Sequence, residues 1–356
     1  MSTRPPTTRE IALACGYNQS TVSHALRGRE KIPAATRERI LKVARSLGWQ
    51  PNPLASAYMA HLRLSRPPSQ QAGIAFLVSG QSSGRITDLP LYMQRHYKGA
   101  LARSLELGYS LESIWVNEPH LTARRLTQVL RARNIVGLVI PGILHPSASL
   151  AGLDWRYFSS VALGYSFANP DLHRMAVDTH HGFDFALRKI VELGYRRIAV
   201  VISTAYDVRV NHGVLHPAYY LQKNPGDGCR LEIHVIERPT ASEIPGIQAW
   251  LREYKPEIVL GEDIVWQAIC RMRWRVPQDV AFANNDTSPE FPDMAGFNQR
   301  HEIHGSVAVD VVSSSIVQNE RGVPPVPRLT LIKGGWFDGL SAPPKADIIH
   351  IEKSAN

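Results

Sequence analysis

Two runs near the start of the chain decide its fold: Thr8-Arg9-Glu10-Ile11-Ala12-Leu13-Ala14-Cys15-Gly16 and Asn18-Gln19-Ser20-Thr21-Val22-Ser23-His24-Ala25-Leu26. The first run predicts a short helix that is capped by Thr8 and ends at Gly16. The second predicts a helix capped by Asn18, with Val22, Ala25 and Leu26 on an apolar face and polar residues opposite. Two short helices joined by a glycine turn are typical of a helix-turn-helix, whose second helix presents its polar face to the major groove of DNA.

Two further helices are predicted after this pair. Residues 33–47 give a third helix that ends at Gly48, and its inward positions are Ile40, Leu41, Val43, Ala44 and Leu47. Asn52 followed by Pro53 is typical of a helix start, so a fourth helix is predicted at about residues 53–60. A helix this short is not stable alone in water. We therefore expect it to form against DNA and a second copy of the chain.

This order of helices and short motifs resembles the DNA-binding headpiece of the lactose/galactose repressor family. The resemblance rests on these segments, in order: Gly16, Ser20-Thr21-Val22-Ser23, Ala25-Leu26, Thr36-Arg37-Glu38-Arg39-Ile40, Leu47-Gly48-Trp49, Pro51-Asn52-Pro53 and Ala55. An ordinary three-helix domain without a role in nucleic-acid binding is the alternative, and the spacing of the whole set disfavours it.

The charge of the chain is concentrated in the headpiece. Residues 1–66 carry 11 of the 40 basic side chains but only 3 of the 31 acidic ones, so they account for +8 of the net charge of +9. A small basic region on a nearly neutral remainder is typical of a protein that binds a polyanion at one end and a small uncharged molecule at the other.

The three cysteines, Cys15, Cys229 and Cys270, are widely spaced and form neither a disulfide framework nor a zinc-ligand pattern, which indicates a reducing compartment. The N-terminus has no apolar run of signal-peptide length, and no stretch of the sequence approaches the length of a membrane span. A cytoplasmic protein without a membrane span is therefore expected.

From residue 72 onward, short apolar runs of the kind found in buried parallel strands alternate with segments of helical periodicity. This alternation predicts parallel, doubly wound sheets, and its two successive sets predict two lobes. The expected domains are a helix-turn-helix headpiece with its hinge helix at 1–62, a linker at 63–71, an N-terminal lobe at 72–174 plus 301–330, a C-terminal lobe at 175–300 plus 331–343, and a tail at 344–356.

The two-lobed α/β body resembles the sugar-binding core of the same repressors, which is itself similar to type I periplasmic binding proteins. The matching segments are Ala176-Val177-Asp178, Leu193-Gly194-Tyr195-Arg196-Arg197-Ile198-Ala199, Val276-Pro277-Gln278-Asp279-Val280, Asp286 and Gln299. The resemblance implies a chain that crosses three times between the lobes, near Arg174, Arg300 and Leu331, and a ligand in the cleft between them.

The match to the family pattern assigns DNA contacts to the headpiece. Base contacts are expected from Gln19, Ser20 and His24, and phosphate contacts from Asn18, Thr21, Ser23, Arg27, Lys31 and Thr36. His24 departs from the family, which usually has arginine there. Because an imidazole cannot bind both acceptors of guanine, His24 implies a different operator base or weaker discrimination. The alternative is an ordinary exposed histidine.

The same resemblance places the fourth helix in the minor groove and at the contact between two copies. Backbone contacts are expected from Asn52 and Ala55. The leucine that relatives insert between base pairs aligns with Tyr58, with Met59 beside it, so either one of these is the wedge or the DNA is bent less. Leu54 is expected to support the paired helices.

Recognition of a sugar requires carboxylates and amides for its hydroxyl groups and aromatic rings for its apolar faces. By their match to the family pattern, the candidate effector-binding residues are Asp286, Asn285, Arg209, Glu262, Trp266, Asp178 and His301. The sugar-binding arginine of the family falls on either Arg209 or Leu215, depending on the spacing used, and Asp178 could equally cap a helix.

The sequence thus predicts a homodimeric transcriptional regulator, by resemblance a repressor, that binds a palindromic operator in double-stranded DNA under the control of a small polar effector, in this family a sugar. An enzyme or a solute-binding protein acting through the same cleft is the alternative. The enzyme is disfavoured because no Gly-rich phosphate loop follows the first strand and no third ligand is suitably spaced from His180 and His181. No catalytic residue, metal or cofactor is predicted.

Overall fold

The computed structural model describes residues 6–26, 32–49, 72–79, 84–118, 121–142, 150–226 and 228–346. Its α-helices are α1 (Thr8–Cys15), α2 (Gln19–Leu26), α3 (Ala34–Ser46), α4 (Leu91–Glu106), α5 (Ala123–Ala132), α6 (Thr179–Glu192), α7 (Thr204–Arg209), α8 (Leu215–Lys223), α9 (Ile244–Tyr254), α10 (Asp263–Met272) and α11 (His301–Gln318). Its strands are β1 (Gly73–Val78), β2 (Ser110–Trp115), β3 (Ile135–Ile140), β4 (Ser159–Leu163), β5 (His173–Val177), β6 (Arg197–Ser203), β7 (Arg230–Ile236), β8 (Ile258–Gly261), β9 (Ala281–Asn284), β10 (Gly296–Asn298), β11 (Leu329–Ile332) and β12 (Gly335–Phe337). The expected hinge helix and linker lie outside the described residues.

The strands form two six-stranded sheets. The first has the order β11-β5-β4-β3-β1-β2, and its neighbouring strands are parallel. The second has the order β12-β10-β9-β8-β6-β7 and is parallel except where β10 meets β12. When the first five strands of each lobe are numbered in chain order, both sheets contain the spatial order 2-1-3-4-5. This order is typical of doubly wound folds. The predicted fold class, a helical headpiece joined to a two-lobed α/β core, is confirmed.

Strand β1 shows why these apolar runs form strands with both faces covered. Successive side chains of a strand point to opposite faces of its sheet. Ile74, Phe76 and Val78 therefore belong to the core cluster on one face, and Ala75 and Leu77 to the cluster on the other. All six residues of β1 are buried, as expected for a parallel sheet with helices on both sides.

The sheets show where the chain passes between the lobes. Strand β5 and strand β11 both belong to the first sheet, so that sheet extends to Val177 and Ile332. These limits lie a few residues beyond the expected boundaries at 174 and 330, because both segments hydrogen-bond to each other as neighbouring parallel strands. The remaining passage lies between β10, in the second sheet, and α11, which packs on α4 and on strands of the first sheet.

Several local predictions differ from the structure. The cap of α1 is Thr7 rather than Thr8, because Thr7 and Glu10 form a reciprocal capping box. Leu47 is 44% exposed rather than inward, since it follows the last turn of α3. Helix α7 and the three-residue strands β10 and β12 were not predicted, because segments this short carry too few residues to show a periodic pattern.

Helices α4 and α11 of the first lobe pack closely against each other at two glycines. A Cβ atom on Gly99 would overlap the carbonyl oxygen of Glu302, and one on Gly305 would overlap the carbonyl oxygen of His96. Beside this contact, Arg95 donates two hydrogen bonds of 3.0 Å to the carboxylate of Glu302. The absence of two side chains thus lets the backbones of the two helices touch.

This packing predicts opposite effects for two glycine-to-alanine changes. Gly305→Ala should lower the free energy of unfolding by about 1–3 kcal/mol, because the new methyl group forces α4 and α11 apart. Gly246→Ala, in α9, meets no atom within 4 Å and should raise stability by about 0.5–1 kcal/mol. Urea denaturation followed by circular dichroism measures both changes. Equal effects of the two substitutions would contradict the proposed backbone contact.

A buried histidine joins β5 to the segment that precedes β11. The backbone N–H of Arg328 donates to Nδ1 of His173 over 3.0 Å, and the ring is only 9% exposed. Burial lowers the pKa of His173, and the nearby Arg328 guanidinium lowers it further. The neutral ring is therefore the form that the folded protein requires.

Acid should destabilise the protein through His173. Because its pKa is lowered on folding, the unfolded chain binds more protons below its ordinary pKa of about 6.5. The stability that depends on the neutral ring is therefore complete above that pH and declines as the pH falls. His173→Asn should reduce the slope of unfolding free energy against pH below about 6.5 by up to ~1.4 kcal/mol per pH unit. The comparison variant is His216→Asn, which replaces an exposed histidine, and an equal change of slope in both variants would contradict the role of His173.

Candidate functional site

The headpiece helices share one small core. Ile11 of α1, Val22 and Ala25 of α2, and Ile40 and Ala44 of α3 are buried against one another. Between α1 and α2 the chain turns at Gly16, whose φ of 74° lies in the left-handed region that favours glycine. The apolar side of α2 is thereby fixed, and its other side faces outward.

Asn18 caps the start of α2, as predicted. Its Oδ1 accepts hydrogen bonds from the backbone N–H of Thr21 at 2.9 Å, from the Thr21 hydroxyl at 2.6 Å and from the Ser20 hydroxyl at 2.8 Å. An amide oxygen has two lone pairs, so this acceptor is fully used within the protein. Asn18 therefore offers its amide N–H groups, rather than its oxygen, to an external acceptor such as a phosphate.

The predicted base-contacting residues lie together at the exposed side of α2. Gln19 and Ser20 are exposed and His24 is half-buried. Nε2 of Gln19 donates to the Thr8 hydroxyl over 3.0 Å, which links α2 to α1 and holds this side chain in place. Of the predicted phosphate contacts, Asn18 is exposed and Thr21, Ser23 and Thr36 are half-buried. The other predicted DNA contacts lie outside the described residues: Arg27, Lys31, Asn52, Leu54, Ala55, Tyr58 and Met59.

A polar cleft lies between the two lobes, at the carboxyl ends of their parallel strands. Ligands in doubly wound folds bind at this end of a sheet. The cavity has a volume of about 80 Å³, and its lining includes Tyr92, His96, Tyr165, Tyr206, Arg209, Asp286, Gln299, His301 and His304. It therefore combines aromatic rings with both signs of charge.

Two polar contacts cross this cleft. Both carboxylate oxygens of Asp286, which follows β9 of the second lobe, lie 2.8 Å from Nε2 of His301 at the start of α11. The guanidinium of Arg209, at the end of α7, lies 5.3 Å from the ring centre of Tyr92 on α4 and 5.1 Å from that of Tyr206. These contacts are polar links between the two lobes.

A buried amide orders the second-lobe wall of the cleft. Nε2 of Gln299 donates to the hydroxyl oxygen of Tyr206 over 2.8 Å and to the backbone carbonyl of Asn285 over 3.1 Å. Burial and the nearby Asp286 carboxylate raise the pKa of Tyr206. The phenol is therefore protonated at neutral pH, and because its oxygen accepts from Gln299, its proton can be donated to a ligand or to a neighbouring acceptor.

Three of the seven predicted effector-binding residues, Asp286, Arg209 and His301, line the cleft. The side chain of Glu262 instead accepts the backbone N–H of Ser203 at 2.6 Å, and Trp266 packs against Phe282 in the core of the second lobe. Asp178 caps α6 by accepting the N–H of His181.

Asn285 lies behind the cleft. Its side chain is 3% exposed, and its Nδ2 is buried without a hydrogen-bond partner.

The sequence did not identify several residues that line the cleft, among them His96, His304, Tyr165 and Tyr206. His301 and His304 are one helical turn apart on α11, which indicates a shared face. Their meeting with His96, however, depends on the packing of α4 against α11 and has no counterpart in local sequence. Burial lowers the pKa of His304 to about 3 and that of His96 well below its ordinary value. Both rings are therefore neutral at physiological pH.

The described residues combine a helix-turn-helix headpiece with two doubly wound lobes and a cleft between them. Residues 7–52 match the family model described as bacterial regulatory proteins, lacI family. Over this segment, the headpiece is therefore similar to those of the lacI family. Within the described residues, no helix is both long enough and apolar enough to span a membrane.

Other proteins resemble this chain over different extents. The HTH-type transcriptional regulator PtxS of Pseudomonas plecoglossicida is 27% identical over 197 residues, which cover 55% of this chain and 53% of that protein. The match thus spans about half the length of PtxS. The structure is similar to the transcriptional regulator CelR–cellobiose complex, with a TM-score of 0.56 at 18% identity over 94% of this chain and 99% of that one. It is also similar to the Lac repressor dimer bound to operator and the anti-inducer ONPF, with a TM-score of 0.55 at 17% identity over 95% and 99%.

Because Asp286 and His301 link the two lobes, we expect that removing the charge of Asp286 makes the residues around the cleft more mobile. Asp286→Asn should speed hydrogen exchange in peptides covering residues 204–214 and 86–97, because the substitution removes a charge-assisted bond between the lobes. Asp279→Asn makes the same change in a pair that lies within the second lobe, with Arg275, and should not affect those peptides. Unchanged exchange in Asp286→Asn, measured by mass spectrometry, would count against an interlobe role of this contact.

Proposed function

We propose that this chain is a cytoplasmic transcriptional regulator that binds a palindromic DNA operator as a homodimer and represses transcription. The observation that carries the proposal is the placement of α2, whose apolar side is buried against α1 and α3 while Gln19 and Ser20 are exposed. A helix held by its apolar side can enter a major groove without losing its support. The excess of basic residues in positions 1–66 supplies the phosphate attraction that such binding requires.

Gln19 is the residue best placed to read a base. One of its two Nε2 hydrogens bonds to the Thr8 hydroxyl, which leaves the second hydrogen and Oε1 for an adenine. Adenine presents an acceptor and a donor side by side in the major groove, which matches an amide. The bond to Thr8 fixes the side chain before DNA binds, so less rotational freedom is lost on binding.

The effector is, in this proposal, a small polar molecule of the carbohydrate class bound in the interlobe cleft. The rings of Tyr92, Tyr165 and Tyr206 can cover the apolar faces of a sugar, and Arg209 and Asp286 can bind its hydroxyl groups. The similar fold of CelR, solved with cellobiose, supports this ligand class.

Control of DNA binding follows from the division of the cleft between two lobes. Tyr92 and His301 belong to the first lobe, and Arg209 and Asp286 to the second, so a ligand touching all four favours one lobe arrangement over others. A ligand shifts an equilibrium only by its difference in affinity for the two states. If the lobe arrangement sets the spacing of the two headpieces, effector and operator affinities are coupled reciprocally.

The base-reading role of α2 predicts a loss of affinity on truncation of Gln19. A palindromic site is first selected from a random library by the full-length chain, and affinity is then measured by fluorescence anisotropy at fixed salt. Gln19→Ala should weaken binding about 10- to 100-fold, because an amide–adenine pair contributes about 1–3 kcal/mol of discrimination. His24→Arg should shift the selected base at its position toward guanine.

The matched control is Gln222→Ala, which removes the same side chain from the second lobe, where it donates to Glu232. It should leave operator affinity unchanged. The proposal fails if the parent chain binds random and selected duplexes equally well, or if the two glutamine variants lose affinity to the same extent.

A further inference from the structure

Three buried histidines meet on one side of the cleft, where α4 packs against α11. His96, His301 and His304 are 6%, 4% and 3% exposed. Each ring has one nitrogen that could bind a metal ion, and these three nitrogens all lie within 4.8 Å of one another. Nδ1 of His301 is 3.1 Å from Nε2 of His96. All three residues line the interlobe cavity.

Hydrogen bonding within the described residues leaves this cluster incomplete. Nδ1 of His96 and Nε2 of His304 are buried and have no hydrogen-bond partner. A neutral imidazole has one N–H donor and one lone pair, so neither tautomer of His96 satisfies both of its nitrogens here. A buried polar group without a partner costs about 1–3 kcal/mol. The cluster therefore carries a cost that a bound ligand can remove.

Asp286 orients the third ring, His301. Its carboxylate lies 2.8 Å from Nε2 of His301, so this nitrogen carries a proton that the carboxylate accepts, and Nδ1 is the nitrogen that faces His96. A carboxylate that accepts the second N–H of a histidine is the usual outer partner of a metal-binding imidazole. Asp286 also adds negative charge beside the cluster, and the positive charge of the nearby Arg95 is balanced by Glu302.

We propose that His96, His301 and His304 form a binding site for a divalent first-row transition-metal ion with the preferences of zinc, and that Asp286 orients His301 for this role. Three imidazoles with a remaining position open to a cavity are the ligand set of open zinc sites. Zinc–nitrogen distances of about 2.0–2.1 Å require nitrogen separations near ~3.4 Å in a tetrahedral site. One pair of nitrogens is already 3.1 Å apart, and because the ligand nitrogens lie within 4.8 Å of one another, side-chain rotations must close up to about 1.4 Å. All three histidines belong to the first lobe, so binding of the metal can be tested without DNA.

The test uses the full-length chain without an affinity tag, treated with a chelator and then titrated with zinc chloride in a calorimeter. One equivalent of zinc should bind per chain. Cobalt(II) should give the intense visible absorption of a four-coordinate ion rather than the weak bands of a hexahydrated one. Cobalt reports coordination in the parent chain directly, so this result does not depend on whether any variant folds.

Substitutions then locate the ion. His304→Gln should abolish binding of the one zinc ion per chain. Asp286→Asn should weaken zinc binding about 10- to 100-fold but leave the stoichiometry at one zinc ion per chain. The double change His180→Gln with His181→Gln removes two exposed neighbouring histidines that could bind metal adventitiously, and it should have no effect. Circular dichroism confirms that each variant is folded.

Three results would overturn the proposal: no zinc binding above micromolar affinity, a six-coordinate cobalt spectrum, or loss of binding in the His180 and His181 double variant. Full binding by a folded His304→Gln variant would overturn it as well. Because no DNA is present in these measurements, their failure leaves the proposed regulatory function untouched.

Discussion

The contact between α4 and α11 is the constraint on which the first lobe and the cleft depend. Gly99 and Gly305 allow the two backbones to touch, and the Arg95–Glu302 pair is fixed beside them. The same approach brings His96 next to His301 and His304. A larger side chain at either glycine would separate the helices, and the wall of the cleft would change with the core beneath it.

The contacts inside each lobe differ in chemistry from the contacts that link the two lobes. Inside a lobe, parallel strands are covered by apolar side chains on both faces. Across the cleft, two of the contacts are polar: Asp286 with His301, and Arg209 with Tyr92. Polar contacts exchange readily with water or with a ligand's hydroxyl groups, whereas apolar packing does not. This difference allows a ligand to change the relation between lobes without disturbing either core.

In the headpiece, helix α2 likewise has a buried apolar side and a polar side that remains free to make contacts. One side of α2 is buried and fixed, and its cap at Asn18 uses every lone pair of the amide oxygen. The polar side remains available, with Gln19 already oriented by Thr8. The conformational entropy of Gln19 is thus lost when the three helices fold, so less is lost when DNA binds.

Local patterns in the sequence predict the helices and turn of the headpiece and the alternation of strands and helices in two sets. These patterns are side-chain periodicity, caps and short motifs, which act over a few residues. The expectation that Asp286, Arg209 and His301 lie near a cleft came instead from the family resemblance. Only the tertiary structure decided that Trp266 packs in a core, that Asp178 caps a helix, and that His96 meets a helix 205 residues further along the chain. The physical reason is that such meetings depend on how closely two helices approach, and that distance is set by the packing of the whole lobe rather than by any local run of residues.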